Sequence, residues 1–287
     1  MVVAVPARAT APAGMPPRTG AWVVVPTYNE RATLPALVAR LLNALPAAPA
    51  ADLRILVVDD NSPDGTGALA DELAAADERL AVLHRTAKTG LGDAYAAGFA
   101  VALDAGARRI IQMDADGSHD PAAIPALLAA LDAGADLAVG SRYVAGGATP
   151  DWPLRRRILS RGGCAYARLV LGLEIRDLTG GFKAWRPDTL EAALAEPLTV
   201  QGYGFQIELT ERAVRGGARV TEVPIAFRDR TQGESKMGAA IVREAIVRVP
   251  QLRLAARTAG TRTADGGRGT NAPALSPSPV NRSAGAR

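Results

Sequence analysis

Cysteine and histidine are scarce in this chain of 287 residues, which has one Cys, Cys164, and two His. A lone cysteine excludes a disulfide framework and a Cys-rich zinc site, and two histidines leave little for an imidazole metal cage. Aromatics make up only 4% of the residues, and no basic patch is interleaved with them, so no nucleic-acid partner is expected. No apolar run approaches the roughly 18–20 residues that span a bilayer. The opening stretch, MVVAVPARATAPAGMPPRTG, has a short apolar start interrupted by Pro, so neither a signal peptide nor a transmembrane helix is expected. The expected setting is cytoplasmic, with at most peripheral attachment to a membrane. Lysine is scarce as well: 30 of the 33 basic residues are Arg, so a single Arg carries little information and each Lys more.

What is present can build a large core. Apolar residues are 48%, 59 residues are Ala, and charged residues are 22%, which excludes global disorder. The net charge is +4; five Arg and one Asp fall in 257–287, leaving 28 basic and 28 acidic residues elsewhere. Residues 1–19 and 257–287, rich in Ala, Gly, Pro, Ser, Thr and Arg, lack hydrophobic periodicity and read as disordered tails. The folded body is 20–256, with no internal repeat.

Within it, short β-branched runs alternate with Ala/Leu-rich helical stretches. Strands are expected at 21–26, 54–60, 80–85, 108–116 and 136–144, with helices following each of the first four: to about residue 45, over 64–76, over 92–104, and from Pro121. Continuous apolar strands alternating with helices imply an α/β fold, a parallel sheet covered on both faces. Ligands on such sheets bind at the carboxyl ends of the strands. Polar residues collect there: Pro26-Thr27-Tyr28-Asn29-Glu30, Asp59-Asp60-Asn61-Ser62 and Asp114-Ala115-Asp116. Three acidic clusters at equivalent points repel one another unless a cation or ligand donors compensate.

Asp114 and Asp116, at alternate positions of an extended backbone, would share one side. Mg²⁺ or Mn²⁺ takes one or two such carboxylates and fills its other positions with phosphate and water. The plainer reading is a turn and helix cap ahead of Pro121. The VVDDNSPDGT segment is partly turn chemistry, with Asp64 a plausible cap; the doubled Asp is less ordinary, and one carboxylate could accept from a base or ribose. Tyr28 could offer a stacking face and Glu30 an acceptor, or both could simply start a helix. Lys88-Thr89-Gly90-Leu91-Gly92 has phosphate-loop glycines without P-loop spacing. Arg142 follows the fifth strand, Arg155, Arg156 and Arg157 open a helix with Ser160, and RDRTQGESK (228–236) is a polar loop of the kind that closes over phosphate. Cys164 and His84 read as structural.

VVPTYNE, VVDDNSPDGT, K-x-G-L-G, MDADGSHDP, GSRYV, the Asp177–Gly181 turn and RDRTQGESK, in this order and spacing over residues 22–238, resemble the family 2 glycosyltransferases. Within that family they look most like the polyprenol (dolichol) monophosphomannose synthases of actinobacterial type. The resemblance implies a Rossmann-like GT-A nucleotide-sugar fold over 20–238 and inverting transfer of mannose from GDP-mannose to a polyprenyl phosphate. By that resemblance Pro26, Tyr28, Glu30, Val58 and Asp60 line the guanosine pocket. Asp114, Ala115 and Asp116 form the metal–diphosphate motif, with Asp116 the direct ligand of Mg²⁺ or Mn²⁺. Arg142, Arg156 and Ser160 face the acceptor phosphate, and Arg230 and Lys236 close over the donor diphosphate. Ser118 stands where some members carry a metal-binding Gln, and Thr179-Gly180-Gly181 where Thr-Ser-Gly is common. The absence of Q-x-x-R-W argues against a processive polysaccharide synthase, and no C-terminal transmembrane helices follow.

A lipid acceptor requires contact with a membrane surface at its cytoplasmic face. Residues 239–256 offer an apolar helical face of Ile241, Val242, Ala245, Ile246, Val249 and Leu252, equally readable as a core-packing helix. A membrane-protein anchor subunit is another route. Competing functions are a UDP-glucose-dependent transferase acting on the same acceptor and a nucleotide-sugar-binding protein without turnover. A nucleotidyltransferase is disfavoured, since no Gly-rich basic loop follows the first strand.

Overall fold

A computed structural model describes residues 20–44, 53–199, 202, 204–229 and 247–254. The 1–19 and 257–287 tails, Arg230, Lys236 and residues 239–246 lie outside the described residues.

Seven strands form one sheet: β1 (Ala21–Thr27), β2 (Leu53–Asp59), β3 (Leu80–His84), β4 (Arg109–Gln112), β5 (Leu137–Ser141), β6 (Lys183–Trp185) and β7 (Val220–Pro224), in the order β3-β2-β1-β4-β6-β5-β7. The Val23–Val25 run makes β1 a buried interior strand, with all seven of its residues buried. The helices are α1 (Leu34–Asn43), α2 (Thr66–Ala76), α3 (Leu91–Asp104), α4 (Ile124–Asp132), α5 (Leu154–Leu171), α6 (Pro187–Leu194) and α7 (Phe205–Arg215). In α1, Leu34, Leu37, Val38 and Leu41 are buried at helical spacing. With α2 and α4 they cover the sheet face carrying Val23, Val25, Ile55 and Ile111. The opposite face, with Trp22, Val24, Leu56 and Ile110, packs against α3, α6 and α7. Gly98 lets α3 lie on the sheet, since a Cβ there would sit 2.4 Å from Val24 Cγ1.

The sheet is mixed rather than wholly parallel. β6 enters between β4 and β5 and runs antiparallel to both. Its amino end therefore shares an edge with the carboxyl ends of β1 to β5, and the 177–181 turn is delivered there. β4 and β5 are shorter than expected. β4 stops at Gln112, because the Asp114–Gly117 segment turns, with Gly117 at φ +75°, rather than extending the ladder. β5 stops at Ser141, where Arg142 turns to meet Asp177.

Residues 247–254 are helical. Val249 and Leu252, from the apolar face proposed to be interfacial, are buried against Ala167 and Leu171 of α5. For the described part of that segment, core packing wins over interfacial exposure.

Candidate active site

The loops after β1 and β2 are tied together. Asn29 and Asn61 both hold positive φ, 59° and 58°, a conformation that Asn tolerates better than most side chains. The Asn29 amide donates to Ser62 Oγ at 3.1 Å, and the Glu30 amide to Thr66 Oγ1 at 3.0 Å. Asp64 accepts from the Thr66 amide and from Arg31. Tyr28 carries Lys88 over its ring, with Nζ 3.4 Å from the centroid. Glu30 Oε2 accepts from Thr33 Oγ1 at 2.6 Å, so the helix-start reading applies to it directly. Pro26 is register partner of Val58, whose side chain is fully buried against α3; at a pocket here Val58 offers main chain only.

The doubled Asp divides its work. Asp59 is buried, with Oδ2 accepting from the Ser62 amide at 3.1 Å and lying where a Cβ on Gly67 would collide with it. Asp60 pairs with Arg85, which also reaches Thr89 Oγ1 at 2.7 Å. Burial raises Asp60 above the ordinary carboxylate range, against the pull of Arg85 and Lys88. Arg85 escaped the sequence reading because, at the end of an apolar strand in an Arg-rich chain, nothing marked it. It supplies a counter-charge for Asp60.

At the end of β4, Asp114 Oδ1 accepts from Tyr95 OH at 2.7 Å, while its amide donates to His119 Nδ1 at 3.2 Å. His119 therefore carries its proton on Nε2. Burial lowers the His119 pKa, opposed by Asp114 and Asp116, and favours the neutral ring. Asp116 Oδ1 accepts from the Ser118 amide at 3.0 Å and from Ser118 Oγ at 2.5 Å. Ser118 thus orients Asp116. The two carboxylates are placed by a turn rather than by strand alternation. Ala115 faces the core and offers only main chain. Among the described residues no cluster of three or more metal-ligating side chains forms.

Arg142 and Asp177 make a buried bidentate pair: Nε to Oδ2 at 2.7 Å and Nη2 to Oδ1 at 2.6 Å, with the Arg142 amide adding a 2.9 Å bond. Nη2 also donates to Thr179 Oγ1 at 2.8 Å. Burial would raise the Asp177 pKa, but the Arg142 charge and its hydrogen bonds outweigh it and hold the carboxyl below the usual range. Arg156 donates from Nη1 to both oxygens of Asp229 at 2.9 Å and stacks 4.0 Å over Trp152. Arg142 lies 5.4 Å over the same indole. Ser160 Oγ accepts from Tyr143 OH at 2.6 Å. The structure therefore brings Arg142, Arg156 and Ser160 into one cluster through Trp152 and Tyr143. Phe227 joins this cluster to the carboxylate motif, lying edge-on to Trp152 and to His119 with centroids 5.3 Å away in each case.

Tyr95, His119, Trp152, Phe227 and the buried Lys183 all went unrecognised as parts of the site. The rarity of Lys was the one available signal for Lys183. Its Nζ is fully buried, bonded only to neutral acceptors, and burial pulls its pKa to about 7 against Asp177 and Asp114.

A mixed α/β sheet with helices on both faces, paired carboxylates at the end of β4 and arginines across the cleft edge defines a GT-A nucleotide-sugar transferase. Residues 22–193 match Glycosyl transferase family 2, and the chain belongs to that family. It is 49% identical, over 86% of its length and 91% of the relative's, to the polyprenol monophosphomannose synthase of Mycolicibacterium smegmatis. It is 48% identical, over 83% of its length and 96% of the relative's, to the undecaprenyl-phosphate mannosyltransferase of Micrococcus luteus. Among solved structures, glucosyl-3-phosphoglycerate synthase from Mycobacterium tuberculosis, in complex with Mn²⁺, UDP-glucose and phosphoglyceric acid, is similar in fold. Its TM-score is 0.59 at 19% identity, covering 81% of this chain and 79% of that one.

Proposed function

We propose that the chain is an inverting mannosyltransferase that moves mannose from GDP-mannose to a polyprenyl phosphate. The observation that carries this reading is the joining of two sites. The Asp114/Asp116 motif, suited to a nucleoside diphosphate, connects through His119, Phe227 and Trp152 to Arg142 and Arg156, suited to a second phosphate. The names of relatives at 48–49% identity support it.

Two carboxylates fit one hard divalent cation, Mg²⁺ or Mn²⁺, whose remaining positions diphosphate and water would fill. Asp114 keeps Oδ2 available after Tyr95 takes Oδ1, and Asp116 is oriented by Ser118. When bound, the ion would neutralise charge on the departing diphosphate.

The chain's own groups explain the rest. A phosphate monoester, with its second pKa near ~6, is already largely dianionic at neutral pH, so its oxygen attacks C1 of the sugar without a protein base. His119 is buried and its Nδ1 lone pair is engaged by the Asp114 amide, so the ring does not serve as one. Arg142 has Nη1 left after binding Asp177 and Thr179, and Arg156 has Nε without a partner. These guanidinium groups would hold the acceptor in line and offset its repulsion by the donor. Arg230 and Lys236 are retained as groups closing over the donor.

No helix among the described residues is long and apolar enough to cross a membrane. The membrane surface would instead be met by α5. Leu154, Ile158, Gly162, Ala165 and Leu169 are spaced 4, 4, 3 and 4 apart, on one stripe opposite the buried Ser160, Cys164, Ala167 and Leu171. Leu154, Ile158 and Leu169 are 70%, 63% and 84% exposed. Arg155 and Arg161 border the stripe, a pattern suited to the anionic cytoplasmic face of a bilayer. The L154Q/I158Q/L169Q variant should bind vesicles containing anionic lipid at least ~10-fold more weakly, with turnover in detergent unchanged. Wild-type vesicle binding by that variant would assign attachment to another segment of the chain, and no vesicle binding by wild type would favour a membrane-protein anchor subunit.

The reaction is tested by supplying labelled GDP-mannose and a short polyprenyl phosphate in detergent, with Mg²⁺ or Mn²⁺ and with EDTA. Metal-dependent formation of lipid-linked mannose is expected. Transfer from UDP-glucose but not GDP-mannose would favour the glucosyltransferase alternative, and binding without transfer from either would favour the non-catalytic one.

A further inference from the structure

Beneath Asp114 lies a chain of hydrogen bonds whose direction is dictated by which groups can only donate. Trp185 Nε1 is a donor only, and it faces Gln112 Oε1 at 3.4 Å. Gln112 must then present its NH₂ onward, and Nε2 lies 2.6 Å from Gln206 Oε1. Lys183 reaches the same oxygen, with Nζ 3.0 Å away. It also donates to Gln206 O and to Thr210 Oγ1, both at 2.9 Å, while the Thr210 proton goes to Gln206 O at 2.8 Å. Two donors on Oε1 leave one orientation for the Gln206 amide, with its NH₂ on the other side.

That side faces Gly181. A Cβ on Gly181 would sit 3.3 Å from Gln206 Nε2, 3.0 Å from Asp114 Oδ2 and 3.4 Å from His119 Cε1. The Nε2 group bonds to no described residue, and Gln206 is 1% exposed. A donor and a carboxylate acceptor therefore both lie against the position where Gly181 carries no side chain. A bare phosphate oxygen suits the amide but not the carboxylate. A hydroxyl suits both, because it accepts from one and donates to the other.

We propose that Gln206 and Asp114 Oδ2 together bind one hydroxyl of the transferred hexose, with Lys183, Gln112 and Trp185 as positioning residues that fix the amide's orientation. This rests on the nucleotide-hexose transferase reading and names a sugar contact within it. A neutral amide in this place also accords with a reaction that needs no protein base.

The test uses Gln206→Glu, which keeps the acceptor for Lys183 and Gln112 but loses the donor, together with Gln206→Met and Gly181→Ala. Each should lower kcat/KM for GDP-mannose at least ~10-fold, since a hydroxyl-binding group left unpaired is penalised beyond the bond itself. The Kd of Gln206→Met for GDP, which has no hexose, should stay within about twofold of wild type. The decisive readout is a set of monodeoxy GDP-mannoses. Wild type should be impaired by removal of one particular hydroxyl, and Gln206→Met should suffer no further loss on that donor while remaining sensitive to the others. Wild-type kcat/KM in all three variants, or equal deoxy penalties in wild type and Gln206→Met, would overturn the assignment. Failure of wild type to use GDP-mannose would reject the mannosyltransferase reading separately. The same cycle on UDP-glucose and its deoxy analogues then decides the hydroxyl contact, and turnover of neither donor rejects it too.

Discussion

Asp116→Ala is expected to reduce metal-dependent transfer about a thousandfold, the scale of removing a preorganised electrostatic group from a reacting diphosphate. The residue is 7% exposed, and its Oδ1 is held by both the amide and the hydroxyl of Ser118. Its loss removes charge at a prearranged point without opening a large cavity, so thermal stability should change little. Ser118→Ala removes only the hydroxyl bond and should give a milder defect, about tenfold, appearing as a higher metal concentration needed for half-maximal rate rather than loss of turnover at saturating ion. Mn²⁺ titration in the presence of GDP measures the first step and lipid-linked product the second. Full activity of Asp116→Ala would remove the carboxylate pair from the metal assignment.

Much of this architecture is readable from residues. The Val-rich β1 and β2, the spacing of Leu34, Leu37, Val38 and Leu41, and the glycines around α3 announce alternating strands and helices. The paired Asn29 and Asn61 mark two equivalent turns. Reversal of β6 is not readable, because a three-residue strand carries no periodicity and its direction is set by which strands accept it. The end of β4 was overrun because M-D-A-D continues an extended-looking pattern, whereas the carboxylates are placed by the turn at Gly117.

Side-chain partners were the least legible. Tyr95 lies three residues beyond the K-x-G-L-G motif without belonging to it, yet it meets Asp114 because α3 packs directly on the sheet. Arg85 and Arg142 look alike in an Arg-rich sequence. Only the fold shows the one answering Asp60 after β2 and the other answering Asp177 after β5. Val58 and Ala115 lie within recognisable motifs, yet both direct their side chains into the core.

The largest effect on stability is expected from Asp177→Ala. Asp177 is 1% exposed and receives the Arg142 guanidinium through two bonds and its amide through a third. Its own amide donates to Glu222 Oε1 at 2.9 Å, which ties the 177–181 turn to β7. Removing the carboxylate leaves Arg142, itself 7% exposed, without a counter-charge, a loss of about 3–5 kcal/mol. For a domain of this size that corresponds to a fall in Tm on the order of 10 °C. The pH dependence has a definite sign. Because the folded-state pKa of Asp177 is depressed, its contribution is fully present above the unfolded carboxyl's value, near ~3.9, and is lost as the pH falls through the lower folded value. Wild type should therefore lose stability relative to Asp177→Ala in that acid window, and the two melting curves should converge there. Pairing the change with Arg142→Met should recover much of the stability, since a buried ion pair replaced by apolar groups is often tolerated, while transfer should stay low if Arg142 holds the acceptor as proposed. A Tm for Asp177→Ala within about 2 °C of wild type would show that this pair does not hold the 177–181 turn against β5 and β7.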